Sequence, residues 1–421
     1  MKLLLVSHQF SDPPRTGGDV ILHNHIKQLA TKHTIDLIAL GVGKVNKQTE
    51  IATYCNSVAL FSMRSPGGIT SLLESPRTWF TSPGHVFFLI LFAIKWLCRI
   101  PLAISPYADG RVFKYIQGHT VKNKFEAVLF YGVSSAQYLG ALRGSRGTVK
   151  ILNLENPLGF YLGKVNYLHK SFFVRAVMAR ERRLISRYEG SLRQAFDCVT
   201  LLNSADLAEY RRYAPEGGEL HCVPYGVDTN YFKPDTSVQR VPGRIIITGN
   251  LYHPPNVEGV HYFCREIYPL IQKKIPNVSL FLVGGRPVQQ IFDLASENIG
   301  ITVIGSVPDI RPYLRAAMVS VCPVQLAVGT QTKILEAMAS GTPVVSTPEG
   351  NHGVCGTAGE HLHIADNPRG FAEKMIALMN GANWKLLSET GRRFAVDHFD
   401  WSVATRKLER IVAAQIAETK S

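Results

Sequence analysis

Residues 328–346 read VGTQTKILEAMASGTPVVS, and this stretch decides the fold. A Gly-bearing loop runs into a short helical pattern. A Gly341-Thr342-Pro343 turn then leads into an apolar strand. Loop, helix, turn and buried strand in that order form one step of a parallel α/β sheet. The rhythm extends on both sides. Residues 244–249, 278–284, 301–305, 319–323 and 343–346 read as strands, with 361–364 as a further short one. Such Val/Ile/Leu runs suit strands covered by helices on both faces. Helical patterns fall at 256–274, 287–297, 309–318, 332–340 and 368–379. The first half alternates likewise, with strands expected at 2–7, 34–40, 58–62, 127–131, 149–153 and 198–202 and helices at 19–32 and 166–194.

A Pro/Gly-rich polar stretch at 224–242 separates the halves. The expected architecture is α/β, with two doubly wound Rossmann-like domains facing each other across a cleft. Residues 1–224 form the acceptor-side domain and 225–397 the donor-binding domain. Residues 398–421 form a C-terminal helix, amphipathic over 401–419, that packs back toward the first domain. Open parallel sheets receive ligands outside the carboxyl ends of their strands.

Of 421 residues, 46% are hydrophobic and 19% charged, which excludes a disordered chain. The net charge is +14. It is lopsided: residues 1–220 hold 27 Lys/Arg against 15 Asp/Glu, a net +12. A basic half calls for an anionic partner. The seven scattered cysteines contain no C-x-x-C pair, which does not suit a disulfide framework or a zinc site and points to a reducing compartment. The first ten residues lack a signal-peptide pattern, so the expected location is cytoplasmic. Residues 86–105 are apolar but interrupted by Lys95, Arg99 and Pro101, and read as a buried or interfacial helix.

Gly329 and Thr330 let backbone N–H groups approach a ligand, and the helix start after Gln331 and Thr332 favours an anion. Lys333 in the first turn opposes the helix dipole unless an anion bridges them. Glu336 lies on the same face and can accept from a ribose diol. Phosphate at the helix start and ribose one turn on describe a nucleoside diphosphate. An ordinary solvent-facing Lys and Glu is the alternative.

The segment resembles the donor-binding signature of GT-B glycosyltransferases of the retaining family-four type, the glycosyl transferases group 1. Glu336-Ala337-Met338-Ala339 and Gly341-Thr342-Pro343-Val344-Val345 carry the likeness. Further matches are Tyr225-Gly226-Val227-Asp228 with Tyr231-Phe232, Thr248-Gly249 with Pro255-Asn256, Val307-Pro308-Asp309, and Gly17-Gly18. Three segments (GTQTKILEAMA, VPDIRPYL and ERRLISRYE) resemble sugar transferases of exopolysaccharide gene clusters. The resemblance implies transfer of a sugar from a nucleotide-diphosphate sugar to a saccharide or polyprenyl-linked acceptor, with retention at the anomeric carbon. It also implies donor contacts at Gly17, Gly18, Gly249, Asn250, Asn256 and Val307. Two departures stand out. The first Glu of the family's Glu-x7-Glu pair is Val328 here, and its Arg…Lys pair is replaced by Asn250-Leu-Tyr-His-Pro-Pro-Asn256. Lys333 and Arg286 are the cations left to meet the phosphates.

On the acceptor side, Gly17, Gly18 and Asp19 open the first helix, where Asp19 is a catalytic candidate and equally a cap. Glu155, at the carboxyl end of the 149–153 strand, is the candidate near the reacting sugar. Asn156, Asn203 (also readable as a helix cap) and His25 are acceptor-side candidates, and His23 is a weaker one. The basic pattern over 169–193, with a stripe of Phe172, Phe173, Val177, Leu184 and Ile185, points to peripheral contact with an anionic membrane. Nucleic acid is not expected, because no nucleic-acid-binding motif accompanies the charge. No Asp-x-Asp motif occurs, so neither metal nor other cofactor is expected. A sugar-nucleotide epimerase and a non-catalytic nucleotide-sugar-binding protein are the alternatives.

Overall fold

The computed structural model describes residues 1–41, 49–62, 101, 104, 107–145, 147–166, 171–327 and 329–420. Val328 and most of 86–105 lie outside the described residues. The chain divides into two compact units, residues 1–223 with 405–421, and residues 224–404.

The first unit holds a seven-stranded sheet of β1 (Lys2–Phe10), β2 (Thr34–Gly41), β3 (Ser57–Ser62), β4 (Ala127–Tyr131), β5 (Val149–Glu155), β6 (Cys198–Leu201) and β7 (Glu219–Cys222). Its order is β3-β2-β1-β4-β5-β6-β7, and every pairing is parallel. The order reverses between β1 and β4, which makes the carboxyl ends of those strands the topological switch point. Leu3, Leu4, Leu5 and Val6 are fully buried, as a strand covered on both faces requires. The C-terminal residues join this unit through Glu409, which accepts from His33 and Lys32, and through Lys420, which pairs with Glu126.

The second unit holds β8 (Arg244–Thr248), β9 (Ser279–Val283), β10 (Ile301–Gly305), β11 (Val319–Cys322), β12 (Val344–Ser346) and β13 (His363–Ile364). The order is β10-β9-β8-β11-β12-β13, again all parallel, with the switch between β8 and β11. Alternation along β8 explains its unbroken apolar run. Ile245 and Ile247 enter one core with Phe263 and Phe371, while Ile246 enters the other with Leu335 and Met338.

The doubly wound reading therefore holds for both units. Some elements differ from expectation. The helix expected over 166–194 is Phe172–Ala195, and a separate helix occupies Leu158–Val165. The helix expected over 256–274 is broken into Pro254–Tyr262, a wide π turn at Phe263–Ile267, and Tyr268–Gln272. Pro269 cannot donate a backbone bond there, which accounts for the widened turn. The helix for which Asn203 reads as a cap is Ser204–Tyr213, whereas strand β7 and the helices Gly110–Lys122 and Trp384–Phe399 lie where the sequence pattern gives no element.

Candidate functional site

In the second unit the candidate residues gather at the carboxyl end of β8 and the start of the Thr332–Ala339 helix. That helix has no side-chain cap at Gln331 and no acidic residue in its first turn. Its first N–H groups are left to another partner. Lys333 is buried, and its Nζ donates to Asn256 Oδ1 at 2.7 Å. Asn256 in turn donates through Nδ2 to the Asn250 carbonyl at 2.9 Å, which fixes the amide orientation. A Cβ on Gly249 would lie 3.1 Å from Lys333 Nζ and 3.3 Å from Cε, so glycine leaves the room in which the ammonium sits. The backbone is close-packed behind it: a Cβ on Gly284 would fall 1.7 Å from the Gly249 carbonyl oxygen.

Burial pulls the Lys333 ammonium below its ordinary value, partly opposed by Cys322 and Glu336. Burial pushes the Glu336 carboxyl up to about 7, moderated by the Lys333 charge. A buried cation whose direct hydrogen-bond partner is neutral Asn256 is costly alone and is relieved by an anion.

Gly329 adopts a φ of 73° that favours glycine, and Thr330 Oγ1 donates to the Gly353 carbonyl at 3.2 Å. A Cβ on Gly353 would fall 2.2 Å from the Gly329 oxygen, so the two loops lie in close contact. The structure thus brings Gly249, Asn250, Asn256 and Lys333 together, with Glu336 in electrostatic reach. Gln331 is the N-cap residue and Thr332 begins the helix. Arg286 is exposed, and its guanidinium rests 5.7 Å from the centre of the Tyr252 ring. Val307 packs on the second-unit core, and the Asp309 beside it forks with Arg311, which lies over Tyr231. Sequence reasoning passed over His253, whose imidazole is held low by burial and then by the Lys333 charge.

The first unit has its own polar cluster at the β1/β4 switch. Glu155 ends β5 with a φ of 64°, beside a register shift between β5 and β6. Its carboxylate oxygens lie 2.9 and 3.0 Å from where a Gly18 Cβ would stand, and Gln9 Nε2 lies 2.4 Å from that point. Only glycine lets the carboxyl lie so near this turn. Burial, and then the nearby Asp19 charge, push Glu155 up to about 8.

Asp19 has a clear structural task. Its Oδ2 accepts from Ser11 Oγ at 2.6 Å and from the Arg15 and Thr16 N–H groups at 3.2 and 3.1 Å. The N-cap itself is Thr16, which forms a capping box with Asp19 at the third helical position. Asn203 likewise caps the Ser204–Tyr213 helix, accepting from the Asp206 N–H at 2.7 Å. His25 is fully buried against the Tyr131 hydroxyl at 3.0 Å, and burial drives it down to about 3. His23 is buried beside Phe10. Asn156 is exposed.

His8 was missed. Its Nδ1 meets the Tyr131 carbonyl at 3.0 Å, and its ring fills the space that a Gly132 side chain would need. A polar residue near the carboxyl end of the first buried strand was the signal available.

Comparison with known proteins decides the assignment of the second unit. Residues 242–381 match the family described as glycosyl transferases group 1. The matched residues lie within the second unit, which is thus similar to that family. An MMP alpha-(1->4)-mannosyltransferase of Mycolicibacterium hassiacum is 31% identical over 218 residues, covering 49% of this chain and 51% of that protein. The match thus spans about half the length of that curated relative. Sucrose-phosphate synthase from Thermosynechococcus elongatus superposes with a TM-score of 0.72 at 16% identity, over 99% of both chains. Anabaena HepE in complex with UDP superposes with a TM-score of 0.64 at 14% identity, over 98% of this chain and 100% of that one. The fold of the whole chain is therefore that of GT-B glycosyltransferases. Lys333 meets Asn256 in the stretch after β8 where the resemblance would call for an Arg…Lys pair.

Proposed function

We propose that the protein transfers a sugar from a nucleotide-diphosphate sugar to a saccharide or lipid-linked acceptor. The buried Lys333 ammonium, held on neutral Asn256 over Gly249 at an uncapped helix start, carries this reading. The leaving group of such a transfer is a nucleoside diphosphate. Charge develops on it as the glycosidic bond breaks, and preorganised donors that meet this charge are usually the largest catalytic term. Lys333 and the N–H groups at 329–332 supply such donors. Glu336 serves the ribose. Gly249, Asn250, Thr330 and Gln331 shape the phosphate end. Arg286, lying on Tyr252, is a second cation for the donor, and Val307 lines the base side.

In the first unit Glu155 is the group for the acceptor hydroxyl. Its carboxyl retains a proton near neutral pH and gives it up as the pH rises, so it can exchange one with a sugar hydroxyl. Asp19 acts by holding the Gly17-Gly18 turn and by raising Glu155. Asn156 borders this cluster in sequence, while Asn203 and His25 are occupied by helix capping and by Tyr131 and serve the acceptor indirectly.

Family likeness supports retention at the anomeric carbon. The absence of an Asp-x-Asp motif from the sequence supports metal-independent transfer, so excess EDTA should leave the rate unchanged. Among the described residues no helix is long and apolar enough to cross a membrane. The Phe172–Ala195 helix exposes Phe172, Arg175, Arg182, Arg183 and Arg187, while its acidic Glu181 and Glu189 are buried. That face supports peripheral docking to an anionic membrane from the cytoplasmic side, where a lipid-linked acceptor for exopolysaccharide or another surface glycan would be presented.

The test is a thermal-shift screen against UDP, GDP and ADP and their sugar conjugates. A ligand at 100 times its Kd stabilises by about 2.7 kcal/mol. A selective shift in the wild type that Lys333→Ala loses supports the reading. No shift with any nucleotide overturns it.

A further inference from the structure

The segment that follows Glu155 is fastened from a distance. The Leu158–Val165 helix starts after Pro157, which makes no side-chain cap, and its first turn has no acidic residue. A carboxylate from the Phe172–Ala195 helix takes that place. Glu189 Oε1 accepts from the Leu158 N–H at 2.7 Å, and Oε2 accepts from the Gly159 N–H at 3.2 Å. Tyr213 donates its hydroxyl to the same Oε2 at 2.9 Å, and Tyr210 donates to the Glu189 carbonyl at 2.7 Å. Glu189 is completely buried. Gly159 has room for no side chain, since a Cβ would fall 2.2 Å from Ser186 Oγ and 3.2 Å from Glu189 Oε2. The two helices are therefore pressed together at this cap.

A buried carboxylate is costly unless hydrogen bonds offset the loss of water. Simpler caps exist: a Ser, Thr, Asp or Asn at position 157 would accept locally from the N–H of Gly159 or Phe160. The remote cap does something a local one cannot. It ties the chain two residues beyond Pro157 and four beyond Glu155 to a separate helix of 24 residues. Glu155 sits in a left-handed conformation at the end of β5, so its carboxyl direction depends on where the next residues are held.

We propose that Glu189 is a positioning residue: its carboxylate fixes the start of the Leu158–Val165 helix and thereby aims the Glu155 carboxyl across Gly18. The proposal rests on the transferase reading and deepens its acceptor side. Glu189 touches neither donor nor acceptor. Its removal acts on the rate through Glu155 and leaves donor recognition in the second unit intact.

Glu189→Gln keeps the shape but supplies one acceptor oxygen where two are used. Loss of a charge-assisted cap should speed hydrogen exchange of the amides at 155–160 by about tenfold, read by mass spectrometry at about pH 8, where the Glu189 carboxyl is ionised. Misaiming a reacting group should lower kcat by about tenfold to a hundredfold. KM for UDP-glucose or GDP-mannose, whichever the wild type uses, should stay within about twofold, because donor binding is not touched. Glu189→Gln added to Glu155→Gln should cost nothing further, since coupled residues are not additive. Tyr213→Phe, which leaves both N–H bonds in place, should show a weaker form of the same pattern.

Unchanged exchange at 155–160 in Glu189→Gln overturns the proposal. So does faster exchange with an unaltered kcat, or a double variant whose losses simply multiply; both leave Glu189 a structural cap. Failure of the transferase reading shows differently: the wild type then transfers no sugar whatever the exchange result.

Discussion

Lys333 Nζ lies 2.7 Å from Asn256 Oδ1, so the buried ammonium at the helix start is held by a neutral amide. The charge is oriented without being cancelled. An Asp at 256 would have nearly the same shape and would cancel it. Asn256→Asp should therefore preserve the fold and weaken nucleoside-diphosphate binding at least as much as Lys333→Ala does. Lys333→Ala should lower kcat by about 10²–10³, the scale for removing one preorganised donor to a developing anion. Calorimetric titration with the nucleoside diphosphate found by screening, beside initial rates, measures both. Wild-type affinity in Asn256→Asp would remove this pair from donor binding.

The raised buried carboxyls each add a pH-dependent share to stability. Glu155 is held up to about 8 against an ordinary 4.5, so the folded protein keeps a proton that the unfolded chain releases. Its contribution is fully present below 4.5 and is lost as pH rises toward 8. Glu336 and Glu189, each pushed up to about 7 by burial, act in the same direction over a narrower window. Buried histidines act in the opposite sense below about pH 6.5, His25 most of all since burial holds it down to about 3, so the readout is the difference between wild type and Glu155→Gln. Between about pH 5 and pH 8 the wild-type urea midpoint should fall relative to that of Glu155→Gln. A difference that stays constant over this range contradicts the assignment.

Much of the second unit was legible because its strands are covered on both faces and its glycines and prolines punctuate them. Thr332–Ala339 and Pro368–Met379 fall within a residue of expectation for that reason. Lys333 was legible because a cation in the first turn of a helix conflicts with the dipole and asks for an anion. Its partner was not, since Asn256 stands 77 residues away in the chain. Glu189 was hidden among the arginines of its helix, because a sequence does not tell that the acidic residues there turn inward while the arginines stay out. Glu155 was legible from the carboxyl end of its strand, yet its closeness to Gly18 depends on a left-handed residue that composition does not announce.

The exposed arginines of the Phe172–Ala195 helix give a separable prediction. Each basic residue near an anionic surface is worth about 1 kcal/mol. Replacing Arg182, Arg183 and Arg187 by Glu should abolish co-sedimentation with phosphatidylglycerol-containing vesicles at low salt, while transfer to a soluble acceptor persists. Wild-type protein that stays in the supernatant under those conditions overturns the membrane proposal.

Gly18 offers a test of the acceptor cluster that leaves the fold standing. A Cβ there would meet Gln9 Nε2 at 2.4 Å and the Glu155 oxygens at 2.9 and 3.0 Å. These are ends of flexible side chains, so the chain can yield by moving the carboxyl instead of unfolding. Alanine also suits the first turn of the Gly17–Leu29 helix better than glycine does, by about 1 kcal/mol at most. Gly18→Ala should therefore melt near or above the wild type and still lose about a hundredfold in kcat, because an ångström of misplacement is enough. Gly226 provides the contrast. Its missing Cβ would lie 2.2 Å from Trp401 Cδ2, and the indole is almost fully buried. Removing that indole in Trp401→Ala should cost about 3–5 kcal/mol of stability. If the Gly18→Ala protein instead lost stability on that scale, its slower transfer would say nothing about Glu155. Full activity in a well-folded Gly18→Ala protein would remove Glu155 from the reaction.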